Sequence, residues 1–130
     1  MLKEADALVL CLPHTPESEG MIDKVALAAL KPGGAFVNVA RGAVIDEVVL
    51  VAALQSGQIG FAALDVFAVE PLPTDSPLWD MSNVLISPHS ASTVAEEYIR
   101  ITDIFCYNLQ CFIEGRFDNM QNILDTNRMY

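Results

Sequence analysis

KPGGAFVNVARGAVIDE, residues 31–47, contains a stop, a strand, an arginine and a helix start in one short stretch. Lys31-Pro32-Gly33-Gly34 ends a preceding helix, because proline lacks the N–H a helix needs and glycine readily takes the left-handed conformation that closes one. Ala35 to Val39 then reads as a strand. Asp46 and Glu47 open a helix, where acidic side chains favour the positive end of the dipole. Strand, loop and helix in that order are the repeating unit of a parallel α/β sheet.

The same alternation extends in both directions. Upstream, Ala7 to Leu12 is an unbroken apolar run, as expected of a strand covered on both faces. A polar loop from Pro13 to Gly20 follows, and Asp23 can cap a helix running to about Leu30. Downstream, the helix begun at Asp46 ends near Ser56, with Gly57 in the C′ place. Gly60 to Val66 reads as a third strand, a Pro-rich loop from Phe67 to Ser82 carries Trp79, and Val84 to Ile86 is a short fourth strand. Strands joined by helices in this way imply parallel order and right-handed crossovers. The last element is a long helix from about Thr93 to Glu114, with Gly115 beyond it. Val94, Tyr98, Ile101, Phe105, Leu109 and Phe112 draw one apolar stripe along it, read as a packing face. Glu96 and Arg100 are spaced to pair on its other side.

Composition narrows the function classes. At 130 residues the chain suits one domain with one core. A hydrophobic share of 52% with 18% charged residues argues against disorder. Seven basic against 17 acidic residues give a net charge of −10, which disfavours binding to a phosphate backbone, so no nucleic-acid partner is expected. Cys11, Cys106 and Cys111 form no CxxC pair, and Cys11 within an apolar strand behaves as a small hydrophobe. A reduced, cytoplasmic setting fits them best. No metal is expected, since His14 and His89 have no cysteine or carboxylate at ligand spacing. Lys3 followed by ALVLCL imitates a signal sequence, but Glu4 and Asp6 interrupt it and Pro13 ends it. The run is too short to span a bilayer, so no membrane partner is expected.

Three polar residues stand just past the apolar runs: Arg41 in NVARGAVIDE, Glu70 in LDVFAVEPLP and His89 in LISPHSAS. Taken singly, Arg41 could be a surface ion-pair partner, Glu70 a loop acid before Pro71, and His89 a capping residue. Their joint placement after consecutive strands favours a site, because active sites of open parallel sheets form at the strands' carboxyl ends. Arginine offers a planar fork of donors that can grip a carboxylate bidentately. Reduction of a ketone requires a proton as the hydride arrives, and histidine titrates nearest neutral pH. A carboxylate beside it, such as Glu70, would favour the imidazolium and fix which nitrogen faces the substrate.

In order along the chain, LPHTPES, KPGGAFVNVARGAVIDE, GFAALDVFAVEPLP, SPLWDMSNVLISPHSAS and the tail NILDTNRMY resemble the C-terminal half of a D-isomer-specific 2-hydroxyacid dehydrogenase. The resemblance implies an α/β fold in which residues 1–130 are the C-terminal part of the NAD(P)-binding domain. That part would be a partial Rossmann-type doubly wound parallel sheet of about four strands, with the long C-terminal helix. It also implies hydride transfer between NAD or NADP and a small 2-oxo or 2-hydroxy acid such as glyoxylate, hydroxypyruvate or phosphoglycerate. Arg41 matches the residue that holds the substrate carboxylate and carbonyl, His89 the one that exchanges a proton with the substrate oxygen, and Glu70 the acid that supports that histidine. Related formate dehydrogenases carry an amide where Glu70 stands, so the acid points to hydroxyacids. Around the cofactor, the resemblance places Pro13 and Ser18 beside the adenosine, and Val39, Ala40 and Arg41 near the nicotinamide ribose. Asp65 would accept from the nicotinamide carboxamide, and His89, Ser90, Ala91 and Ser92 would line that pocket. The family commonly forms homodimers through this domain.

No GxGxxG occurs among these residues. That loop lets a backbone approach the pyrophosphate at a helix N-terminus. By resemblance, the strands carrying it and most of the substrate domain belong upstream. The run from Ala7 to Leu12 would then be a sheet edge open to pairing. The 130 residues by themselves are expected to bind NAD weakly or not at all, without turnover. Beside the oxidoreductase reading stand two others: a non-catalytic corepressor-like module, since some relatives use the fold in that way, and an inactive product.

Overall fold

The structure, a computed structural model, describes residues 2–127; Arg128, Met129 and Tyr130, which close the NILDTNRMY segment, lie outside the described residues. The chain divides into two compact units, Met1–Ala91 and Ser92–Tyr130.

In the first unit the order is β1 (Ala7–Leu10), α1 (Lys24–Ala28), β2 (Gly34–Asn38), α2 (Glu47–Gln55), β3 (Ile59–Leu64) and β4 (Val84–Ile86). The four strands form one sheet in the order β1-β2-β3-β4, parallel throughout, so the unit is Rossmann-like α/β as expected. Both helices start at the acids read as caps. Asp23 accepts the Ala26 N–H at 2.8 Å, and Asp46 Oδ1 accepts from Val48 and Val49 at 3.0 and 3.2 Å. Each bond satisfies a donor that has no partner within its own helix. Gly57, at φ 76°, closes α2 in the left-handed conformation, where any other residue would be strained.

The register aligns Leu8, Phe36, Ala62 and Val84 in one row and Leu10, Asn38, Leu64 and Ile86 in the next, all on one face. Leu27, Leu30, Leu50, Ala53 and Leu54 join this face to make the core. Phe36 is fully buried there, a contribution of about 2–3 kcal/mol from removing its ring from water. The opposite face carries Val9, Val37, Ala63 and Leu85, with Val9 at 55% and Leu85 at 57% exposure. The expectation that the first strand is covered on both faces is therefore not met. Strand order advances in one direction without reversal, so crossovers of one hand carry α1 and α2 to the same side. The strand also stops two residues early. The last bond of its ladder runs from the Val39 N–H to the Leu10 carbonyl, and Cys11 beyond it is exposed, so it is not the buried hydrophobe expected. Among the described residues β1 lies at one end of the four-stranded sheet.

In the second unit, α3 spans Glu97–Ile113 and begins later than the pattern suggested. Glu96 sits outside the helix at φ −92°, ψ 2° and makes no side-chain cap. Val94 therefore falls off the helical stripe, and Glu96 and Arg100 share only a backbone bond in place of the expected ion pair. Tyr98, Ile101, Phe105, Leu109 and Phe112 are exposed, so the stripe does not pack as expected. Within the unit, Cys111 is buried, and Phe112 meets Phe117 edge-on at 5.6 Å. Gly115, at φ 71°, ends the helix where the sequence placed its stop. Among the described residues no helix is long and apolar enough to cross a membrane.

Candidate active site

Because the strands run parallel, the loops after β1, β2, β3 and β4 all leave the same edge of the sheet. Those loops carry Pro13 and Ser18, then Val39, Ala40 and Arg41, then Asp65 and Glu70, and finally His89, Ser90 and Ala91. Ser92 opens the second unit.

Glu70 and His89 meet directly. His89 Nδ1 lies 2.7 Å from Glu70 Oε2, while Glu70 Oε1 accepts the Phe67 N–H at 3.0 Å. The carboxylate is thus held at both oxygens, one by the ring and one by its own loop. Its pKa is lowered, first by the bond from His89 and then by the Phe67 N–H, with burial opposing; the charges of His89 and Arg41 add to the lowering. With Nδ1 directed at Glu70, the other ring nitrogen, Nε2, makes no hydrogen bond among the described residues. A carboxylate engaged at Nδ1 favours a proton on that nitrogen and fixes the ring orientation.

Arg41 is set by a buried amide. Asn38, fully buried at the end of β2, accepts the Ala40 N–H at 3.0 Å and donates to the Arg41 carbonyl at 3.2 Å. Its side chain therefore holds both ends of the turn from which Arg41 projects. Arg41 Nη1 donates to the Ala40 carbonyl at 2.6 Å, leaving the other donors of the fork available. Ala40 is buried beneath it and Val39 is partly exposed.

Asp65, only 5% exposed, accepts the Ser90 N–H at 2.8 Å with Oδ1 and the Ala91 N–H at 2.9 Å with Oδ2. These two donors directly follow His89, whose φ of 53° is left-handed. A non-glycine residue there costs on the order of 1–3 kcal/mol, and the two bonds to Asp65 help to hold it. Burial pushes the Asp65 pKa up, but the Ser87 hydroxyl and the Ala91 and Ser90 N–H groups outweigh it, so the net shift is downward. The backbone donors of Ser90 and Ala91 are consequently engaged within the chain.

Pro13 and Ser18 form a local turn. Ser18 Oγ donates to the Pro13 carbonyl at 2.8 Å and accepts the Thr15 N–H at 2.8 Å. His14 lies near Glu19 at 3.7 Å on the surface. Beside the Glu70–His89 pair opens a cavity of about 680 Å³, walled by Phe67, Leu72, Trp79 and Ile86 among others. Trp79 is half exposed, its indole N–H held by the Pro73 carbonyl at 2.9 Å.

Residues 1–91 match the family model described as D-isomer specific 2-hydroxyacid dehydrogenase, NAD binding domain. The chain belongs to this family. It is 44% identical over 117 residues to the D-3-phosphoglycerate dehydrogenase of Mycobacterium leprae (strain TN), covering 90% of this chain and 22% of that one. To glyoxylate/hydroxypyruvate reductase B of Citrobacter koseri it is 39% identical over 128 residues, covering 98% of this chain and 37% of the other. Among solved structures, a D-isomer specific 2-hydroxyacid dehydrogenase of Xanthobacter autotrophicus Py2, in complex with NADPH and MES, matches with TM-score 0.91 and 43% identity. That match covers 99% of this chain and 52% of the other. The chain thus spans about a fifth to a third of the length of these curated relatives.

Within this 2-hydroxyacid dehydrogenase unit, Arg41, Glu70 and His89 follow successive strands as their places in the sequence imply, whereas Asn38 is a site residue that the sequence pattern leaves unmarked. The available signal was a polar amide inside an apolar strand, which must find partners when buried. The bonds from Asp65 to the His89 turn carried no comparable signal, because they join residues 25 and 26 positions apart.

Proposed function

We propose that residues 1–130 are the C-terminal part of an NAD(P)-binding domain, and that they carry the proton-transfer and carboxylate-holding half of an enzyme reducing small 2-oxo acids to 2-hydroxy acids. The observation that carries this reading is the Glu70–His89 pair at 2.7 Å, on the sheet edge that also bears Arg41. Arg41 grips the substrate carboxylate with its remaining donors. His89 presents Nε2 to the carbonyl oxygen and delivers the proton, while Glu70 balances the imidazolium and holds its orientation. In the reverse direction the same ring accepts the hydroxyl proton.

The nicotinamide end of a dinucleotide fits these residues. Val39, Ala40 and Arg41 would border it together with His89 to Ser92, and Asp65 retains acceptor positions beyond the two it uses. When bound, the cofactor supplies the hydride. Pro13 and Ser18 would lie towards the adenosine. The pyrophosphate loop has no counterpart among these residues, and the choice of NAD or NADP follows the ribose-reading residues that accompany that loop. The substrates named for the relatives, phosphoglycerate on one side and glyoxylate or hydroxypyruvate on the other, share the carboxylate and ketone that Arg41 and His89 address. Its setting is the cytoplasm, with a homodimer formed through this domain.

The test is a chimera in which this chain replaces the matching segment of the Xanthobacter protein. It is assayed by NAD(P)H absorbance with glyoxylate, hydroxypyruvate and phosphohydroxypyruvate. We expect turnover that requires the 2-oxo acid and falls on the order of 10²–10⁴-fold with His89→Ala, the range of general acid catalysis. Arg41→Ala should chiefly raise KM. Turnover unaffected by His89→Ala would sink the reading.

A further inference from the structure

We propose that Gly42 and Glu47 are positioning residues that brace the loop carrying Glu70 against the segment carrying Arg41, so that the substrate anchor and the histidine's carboxylate keep a fixed spacing. The inference rests on the reading of Arg41, Glu70 and His89 as one site.

The brace converges on the backbone of Phe67 and Ala68. Glu47 Oε2 accepts the Ala68 N–H at 2.9 Å, across 21 positions. Gly42 approaches from the same segment so closely that a Cβ on it would lie 1.9 Å from the Phe67 carbonyl oxygen and 2.5 Å from the Ala68 nitrogen. No side chain can occupy that space, and only glycine permits the approach. The Phe67 N–H, on the same peptide pair, donates to Glu70 Oε1. Three interactions therefore meet within two residues: a steric fit to Gly42, a bond to Glu47 and a bond to Glu70. Displacement of Phe67 and Ala68 would move Glu70 away from His89.

Glu47 also has an alternative task that it does not perform. As the first residue of α2 it could cap its own helix, yet Asp46 already accepts from Val48 and Val49. The Glu47 carboxylate instead leaves the helix and reaches the neighbouring loop. One short segment, 41–47, thus bears the cation that would hold the substrate and both groups that fix the loop of the histidine's partner.

The test uses the full 130-residue chain and NMR, and needs no turnover. Two readouts are followed: the ¹³C titration of the Glu70 carboxyl, and the ¹⁵N shifts of the His89 ring, which report its tautomer. We expect Glu47→Ala to move the Glu70 titration up towards the ordinary carboxylate range and to convert one ring tautomer into a mixture. Glu47→Gln, which keeps a side-chain oxygen for Ala68, should preserve both readouts. Glu47→Asp, one methylene short of that N–H, should behave as Glu47→Ala with less disturbance of the fold, and serves where Glu47→Ala does not fold. If Glu47→Ala or Glu47→Asp lowers Tm but leaves both readouts at their wild-type values, Glu47 is merely structural and the proposal fails. These outcomes do not depend on the chimera assay, which tests the function itself.

Discussion

At the carboxyl edge of the sheet, Asn38, Asp65 and Glu70 each bond to neighbouring backbone, whereas along α3 Tyr98, Ile101, Phe105 and Phe112 face solvent. The edge is determined by its own residues. Buried or half-buried polar groups there meet partners from the same unit, and among the described residues no buried side-chain polar atom lacks one. Along the helix, the apolar residues of one stripe remain exposed. A polar site can be organised locally because hydrogen bonds are short-ranged and directional, but an apolar stripe gains stability only from a second surface.

The sharpest way to break this contrast is Asp65→Ala. It leaves the Ser90 and Ala91 donors without their acceptor and frees the His89 turn. We expect a loss of about 3 kcal/mol in urea unfolding, from penalties of roughly 1–3 kcal/mol for each stranded donor. A loss below about 1 kcal/mol would mean that water replaces the carboxylate and that the edge is not self-determined.

Acid titration sharpens the contrast next. Asp65 and Glu70 both have lowered pKa values in the folded chain. Their contribution is present above the unfolded carboxylate values and is lost as pH falls through the lower folded ones. Stability should therefore decline below the ordinary carboxylate range, and Asp65→Asn should flatten that decline when unfolding free energy is measured from pH 6 downwards. An equally steep decline in the variant would assign the acid sensitivity to other groups.

On the helical side the expected effect is small. Phe105→Ser removes an exposed ring and should change stability by no more than about 0.5 kcal/mol, while reducing self-association in analytical ultracentrifugation. A loss above about 2 kcal/mol would show that the stripe packs in solution. The smallest effect is expected from NADH. Titrated into the isolated 130-residue chain and followed by Trp79 fluorescence, it should give no saturable micromolar binding. Saturation in that range would show that the nicotinamide half suffices without a pyrophosphate loop.

Much of the architecture was legible from local chemistry. Asp23 and Asp46 are caps because short acidic side chains reach the free N–H groups of the first turn. Gly57 and Gly115 are stops because left-handed closure favours glycine. Positions governed by a second surface were less legible. Val9 and Cys11 are exposed within a run that reads as covered on both faces, because an apolar run does not record which side its neighbours occupy. The spacing of Val94 fits the helix, yet α3 begins only at Glu97. Periodicity marks a face without marking where hydrogen bonding starts.

For the site, the order of residues supplies the chemical groups: an arginine, a carboxylate and a histidine, each just beyond an apolar run. Parallel strand order then required them to share an edge. How they are held is a property of the folded chain. The 2.7 Å contact of Glu70 with His89, the two bonds from Asp65 behind that histidine and the fit of Gly42 against Phe67 join segments far apart in the chain. Such contacts depend on positions defined to within about half an ångström, which a folded backbone fixes and a linear pattern does not encode.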